Sequence, residues 1–309
     1  NWDDKIGLYL NHEAPKGIYD LIFIGTPPKF HIPLAIEALK ENPKGILIEK
    51  PLCTPDLNGA DNLIALSEDK NIPVFVGYDH TLAKSTEFFI SKCRSNNNII
   101  WETLDVQFRE HWGGIFNAHP WLDGPGDSYL GFSSKGGGAL CEHSHGLSMW
   151  IFLSNYFNYG KISEVSAQQK FYKDDKVEYD EISYLNLKTN KGLFGRVVQD
   201  VTTVPVKKEI IIFGENGIGK LNFATVNEYD TYEIDLINEK KIKKRFKKLR
   251  PDDFINELSH IRDFMENKIS KSPIDIKHGI ETMIIIKNAF ESSKNKKTIK
   301  VDLEEMNQL

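Results

Sequence analysis

The sequence predicts an α/β chain in two parts: an incomplete doubly wound parallel sheet, then an α+β half on a large, mostly antiparallel open sheet. Two observations carry this. Short apolar runs at 20–25, 45–48 and 73–77 alternate with helical stretches, the rhythm of parallel strands buried on both faces. Beyond residue 98 the rhythm changes to longer strands with hairpin signals such as Thr189-Asn190-Lys191-Gly192. The expected boundary gives residues 1–97 to the first part and 98–309 to the second.

Each element has a local reason. The run 20–25 ends in Gly25, and Thr26-Pro27-Pro28 turns into a helix over about 31–41. Pro33 sits in its first turn, where a missing N–H costs nothing. Strand 45–48 leads into Glu49-Lys50-Pro51, a helix over 56–70 follows, and 73–77 is the third strand. Right-handed crossovers put the C-terminal ends of these strands on one edge. A strand over 99–109, a Gly/Pro/Trp-rich loop over 112–138 and a helix over 139–153 come next. Strands are then expected at 162–172, 179–189, 192–201, 207–213, 218–224 and 231–238. Phe254, Leu258, Ile261, Phe264 and Met265 mark one late helix; Ile280, Met283, Ile284, Ile286 and Phe290 mark another.

Composition narrows the function. The 309 residues are 40% hydrophobic and 27% charged, which excludes a mostly disordered chain. With 39 basic against 44 acidic residues the net charge is −5, a poor balance for replacing phosphate counterions, so no nucleic-acid partner is expected. No apolar run reaches the length of a membrane span and no export signal is visible, so no membrane partner is expected. Three widely spaced cysteines, Cys53, Cys93 and Cys141, make no disulfide framework and fit a reducing cytoplasm. The run 240–250 holds eight basic residues interrupted by Ile242, Phe246 and Leu249; it is expected to be a solvated connection between a strand and a helix. Lys-rich 294–300 is expected to be a surface hairpin or terminal strand.

Four segments carry chemistry. Gly25 to His31 joins a buried strand to a helix N-terminus, where backbone N–H groups favour phosphate or ribose oxygens. Glu49-Lys50-Pro51 follows a strand, so its ionisable pair points into the crevice; a cis Lys50–Pro51 bond would aim Lys50 inward. A lysine there can hydrogen-bond a reacting oxygen and stabilise charge developing on it. Gly136-Gly137-Gly138 permits a tight helix entry and close approach by a ligand. On the helix that follows, Glu142 and His145 are three apart and share a face, with His143 roughly opposite and structural. His145 is the natural proton acceptor and Glu142 its orienter. Helical neighbours do not converge on one ion, so no metal is expected from Cys141, Glu142, His143 and His145. In the loop 119–129, Trp121 and Tyr129 can stack on sugar faces while Asp123 and Asp127 accept hydroxyl protons.

The order Gly-Thr-Pro-x-x-x-His, Glu-Lys-Pro, Val-Gly-Tyr, then Gly-Gly-Gly-x-x-x-Glu-x-x-His resembles the Gfo/Idh/MocA family of NAD(P)-dependent oxidoreductases over residues 19–301. The resemblance implies a Rossmann domain and hydride exchange between NAD or NADP and a sugar or nucleotide-sugar carbon. It implies Lys50 and His145 as catalytic residues, with Glu142 where the family usually has Asp. It implies a dinucleotide lined by Thr26, Pro27, His31, Glu49 and Pro51. The Glu-His-Ser-His form is similar to a branch associated with bacterial surface-sugar gene clusters. Departures are the acid-to-histidine spacing of three, and Asp79 and Thr81 where the family often has Asn and Arg. No Gly-x-Gly-x-x-Gly occurs, so the family's phosphate-binding start is expected ahead of Asn1. That leaves a second reading, a redox-inactive sugar-binding or scaffold homologue without its cofactor site. A metal-dependent hydrolase built on Glu142, His143 and His145 is a third. An exposed face on the second sheet would favour a homodimer or homotetramer.

Overall fold

The computed structural model describes residues 3, 5–95, 101–224, 228–249 and 251–302. In the first lobe β1 (Leu21–Ile24), β2 (Gly45–Ile48) and β3 (Val74–Val76) pair in parallel in that order. β2 and β3 are buried at every position, as continuous apolar runs between two helical layers require. Helices α1 (His31–Leu39) and α2 (Ala60–Lys70) make the crossovers. α2 starts four residues later than its composition implies. Leu57 and Gly59 hold left-handed φ values of 58° and 83°, so the chain cannot enter the helix before Ala60.

α3 (Lys84–Ser95) follows β3. The second lobe then holds β4 (Trp101–Arg109), α4 (Trp112–Ala118), α5 (Gly138–Glu142), α6 (His145–Tyr156), β5 (Ile162–Lys173) and β6 (Glu178–Thr189). β7 (Phe194–Asp200), β8 (Lys207–Gly214), β9 (Gly217–Phe223), β10 (Tyr229–Leu236) and β11 (Ile242–Lys247) come next. α7 (Asp252–Met265), α8 (Ile276–Asn295) and β12 (Ile299–Lys300) end the described chain. Among the described residues the nine strands run β11-β10-β9-β8-β4-β7-β6-β5-β12, antiparallel except for the central pair β4–β7. One sheet face is covered by helices, with Trp150 of α6 fully buried and donating its indole N–H to the Leu104 carbonyl at 2.9 Å. The other face leaves Tyr184 and Phe194 about half exposed.

Three expectations change. The 112–138 loop is partly ordered, with α4 and three short 3-10 turns. The helix expected over 139–153 is two helices meeting at His143 and Ser144, because the Ser144 N–H bonds Cys141 at i−3 and the α-helical register is lost. The basic run 240–250 is mostly the edge strand β11, since Lys243 stands opposite Glu233 on β10 and pairs with it at 2.8 Å. Arg250 lies outside the described residues, as do 99–100 at the start of the strand expected at 99.

The lobes share helices. α3 packs on β9 and β10, and α8 packs on β5 and on β3 of the first lobe. Phe264 of α7 meets Phe75 of β3 edge-on at 5.3 Å. The 97/98 boundary itself falls outside the described residues. No helix among the described residues is long and apolar enough to cross a membrane, and the three cysteines are buried and free.

Candidate active site

The C-terminal ends of β1–β3 open into a cleft of about 600 Å³ whose far wall is built by the second lobe. This edge is where open parallel sheets hold ligands, because strand ends there present backbone and side chains that no neighbour covers. Gly25, Thr26 and Pro27 line it after β1, and Glu49 and Lys50 after β2. Trp121 and Tyr129 come from the ordered loop, Glu142 and His145 from the α5–α6 junction. The Lys50–Pro51 bond is cis.

Lys50 and Glu142 meet across the lobes. Nζ lies 3.1 Å from Glu142 Oε2 and donates to the Glu142 carbonyl oxygen at 2.8 Å. Burial alone would push the ammonium toward neutrality, but the charges of Glu142, Tyr129 and Glu49 outweigh it and raise its pKa above the usual lysine value. Burial would likewise raise Glu142; Lys50 and His143 overcome it and hold the carboxyl below its usual range. An ammonium has three protons. Two go to Glu142, so one is left to face the cleft.

His145 is the complementary group. Burial, then the neighbouring His80, pushes its pKa well below 6.5, with Asp79 acting the other way. The ring is therefore neutral at pH 7 and able to accept a proton. Burial, followed by the charge of Glu142, lifts Tyr129 to about 12, so its phenol remains a donor. Burial raises Glu49, with Lys50 opposing it.

The glycines allow the tight helix entry expected of them, and the close approach seen at Gly137 and Gly138 is made by the protein itself. At Gly138, φ is +75° and a Cβ would lie 2.1 Å from Asp180 Oδ1; at Gly137 it would lie 2.3 Å from the Tyr129 carbonyl. Asp180 is fully buried and accepts from the Leu140 N–H at 2.8 Å and from Ser133 and Ser183 at 2.6 and 2.7 Å. It clamps the first turn of α5 and so places Glu142.

Other expected residues stand elsewhere. His31 is buried and outside the cleft, its ring nitrogens 2.9 Å from the Pro51 carbonyl and 2.5 Å from the Thr26 carbonyl. It braces the two cleft loops against each other. Pro51 is buried behind Lys50 and its ring packs toward Gly136. Asp123 is exposed and off the cleft, its N–H capped by Asp127 at 2.9 Å. His143, expected on the opposite side, also lines the cleft, because the helix break rotates it inward. Sequence reasoning marks Asp79 only as a departure from the family pattern and misses His80. Asp79 Oδ1 lies 2.7 Å from His80 Nδ1 and 3.5 Å from His145 Nδ1, and the two imidazoles are 4.6 Å apart. The available signal was an acid-histidine pair directly after a buried strand.

The fold defines a two-lobed α/β protein with a cleft between a parallel sheet edge and an open antiparallel sheet. Residues 6–78 match the Gfo/Idh/MocA family model, an oxidoreductase family with an NAD-binding Rossmann fold. No curated protein matches the sequence. Among solved structures, the WlbA dehydrogenase from Bordetella pertussis, in complex with NADH and UDP-GlcNAcA, superposes with a TM-score of 0.67 at 16% identity, covering 92% of this chain and 79% of that one. Levoglucosan dehydrogenase, in complex with NADH and levoglucosan, gives 0.75 at 17% identity, over 91% and 80%. An inositol dehydrogenase homologue from Azotobacter vinelandii, with NAD+, gives 0.73 at 14%, over 91% and 78%. At these identities the likeness shows a shared fold.

Proposed function

We propose that this protein is an NAD(P)-dependent oxidoreductase that exchanges hydride with a hydroxyl or keto carbon of a sugar or nucleotide sugar. The observation that carries the reading is the pairing of a charged Lys50 with a neutral His145 in one inter-lobe cleft. The family match of the first lobe and the NADH- and sugar-bound neighbours support it.

The donor set fits the nicotinamide-ribose end of a dinucleotide: the Thr26 hydroxyl, the Glu49 carboxylate and the Lys50 ammonium all stand at the strand edge. Thr26, Pro27 and Glu49 would hold it, with His31 and Pro51 setting the loops from behind. When bound, the nicotinamide supplies the hydride acceptor or donor. The chain's own work is proton and charge control. Lys50 keeps its proton, so it donates its one free N–H to the reacting oxygen and favours negative charge there. His145 takes the hydroxyl proton during oxidation and returns it during reduction. Glu142 anchors Lys50, while Trp121 and Tyr129 offer faces and a hydroxyl to a pyranose.

The setting we assign is bacterial surface-carbohydrate metabolism in the cytoplasm, with the half-exposed Tyr184 and Phe194 face joining protomers into a homodimer or homotetramer. Titration with NADH and NADPH, read by nicotinamide fluorescence, tests the cofactor. A panel of UDP-sugars followed at 340 nm tests the substrate class. Expected are saturable binding of one cofactor and turnover abolished in Lys50→Ala and in His145→Ala, the latter without loss of that binding. A chain that binds neither cofactor sinks the reading.

A further inference from the structure

Asp79 is placed between two histidines that the proposed chemistry uses unequally. His145 and His80 both line the cleft, and His80 also packs against Phe108 and Phe223, at ring separations of 5.3 and 4.9 Å. Asp79 Oδ1 is in hydrogen-bond contact with His80 Nδ1 at 2.7 Å and stands 3.5 Å from His145 Nδ1. His145 Nδ1 is buried and has no hydrogen-bond partner. A buried ring nitrogen without a partner is costly, and the Asp79 carboxylate, 3.5 Å away, is an acceptor within reach of a small adjustment.

We propose that Asp79 is a positioning residue for His145: its carboxylate takes the Nδ1–H, which leaves Nε2 as the unprotonated nitrogen offered to the substrate hydroxyl, while His80 Nδ1 holds the same carboxylate oxygen in place. The inference rests on the proposed role of His145 as proton acceptor. An imidazole protonated at the wrong nitrogen cannot act as a base, so the carboxylate controls which tautomer exists rather than touching substrate. A contact of this kind is often long without substrate and tightens when the site fills.

Charged groups face the two imidazoles from every element packed against them. Glu49 and Lys50 follow β2, Glu142 ends α5, Glu110 follows β4, Lys208 lies on β8, Lys248 follows β11, and Asp253 and Glu257 lie on α7. The lysines disfavour a charged imidazole, and the Asp79 carboxylate opposes them at His145. The three side chains also have their ligand atoms within 4.8 Å of one another, so a bound divalent cation is the competing occupant.

The test has two arms. Long-range 1H–15N NMR on the unsubstituted, histidine-labelled protein should show His145 as the Nδ1–H tautomer. This needs no turnover, so it separates this inference from the functional reading. In the cofactor-loaded enzyme, Asp79→Asn should lower kcat roughly 100-fold with KM within about threefold. It should also move the acidic limb of kcat/KM to lower pH, because the anion that favours the imidazolium is gone. A purely structural residue would not move that limb. An Nε2–H tautomer in the unsubstituted protein overturns the proposal. So does an Asp79→Asn enzyme with unchanged kcat, or one stoichiometric zinc bound in the unsubstituted protein and lost in Asp79→Asn and His80→Ala.

Discussion

Lys50 and Glu142, 92 residues apart, make two contacts: Nζ to Oε2 at 3.1 Å and Nζ to the main-chain oxygen at 2.8 Å. The pair joins the end of a parallel strand to the end of a short helix in the other lobe. Removing one partner of such a pair leaves an uncompensated buried charge, which costs far more than the pair itself contributes. Glu142→Gln should therefore lower unfolding free energy by about 3 kcal/mol in urea titrations. It should also lower the Lys50 pKa, since the Glu142 charge is the chief influence opposing burial. Activity in the variant should then fall on the alkaline side at a pH where the parent is flat; an unchanged alkaline profile would contradict this.

The buried histidines set the acid limit of stability. Burial pushes His143, and separately His278, down to about 4. In the unfolded chain both titrate near 6.5. Between those values the unfolded state binds more protons than the folded one, so their contribution to stability is lost as pH falls from 6.5 toward 4. His278 bonds Ser148 at 2.7 Å inside the α6–α8 contact. His278→Asn should reduce the slope of unfolding free energy with pH in that window by about 1.4 kcal/mol per unit. Urea melts at pH 7, 6, 5 and 4.5 measure it, and an unaltered slope would refute it.

Glu257 works in the opposite direction. It is 4% exposed, its Oε1 has no partner, and burial followed by the charges of Asp79, Glu49 and Asp253 raises it to about 8. The folded state holds its proton where the unfolded chain, near 4.5, has lost it. Its contribution therefore declines as pH rises from about 4.5 to 8. Glu257→Gln keeps the shape without the titration. The variant should melt above the parent at pH 8.5 and level with it at pH 4.5, by differential scanning calorimetry; equal melting temperatures at both would contradict this.

The reach of the sequence is clearest where chemistry depends on position along a strand. Lys50 and the three parallel strands were legible because an ionisable residue after a buried apolar run lands at the sheet edge. Asp79 obeys the same rule one strand later, yet comparison with a family pattern marked it as a departure. The break between Glu142 and His145 left no proline or glycine at the junction to announce it. β11 was hidden because its lysines read as solvated until Glu233 on β10 is placed opposite Lys243, with Asp235 meeting Lys241 just ahead of the strand. His31 matched a cofactor position, but whether a ring nitrogen faces a ligand or a carbonyl depends on loop packing that spacing does not encode.

Gly138 gives the sharpest test of how the site is held. A methyl there would fall 2.1 Å from Asp180 Oδ1, on backbone at φ +75° that L-residues rarely adopt. Asp180 cannot retreat freely, because Leu140 N–H and the hydroxyls of Ser133 and Ser183 all donate to it. Gly138→Ala should lower stability by about 3 kcal/mol or more, combining strain with loss of the helix clamp. It should also reduce turnover in the surviving folded fraction, since α5 carries Glu142 and Glu142 anchors Lys50. Gly124 is the matched control: its φ is −175° and a Cβ there meets nothing within 4 Å, so Gly124→Ala should stay within about 0.5 kcal/mol of the parent. Urea unfolding of both variants beside initial-rate measurements decides the matter. If Gly138→Ala matches Gly124→Ala in stability and rate, Asp180 does not hold the helix that carries Glu142.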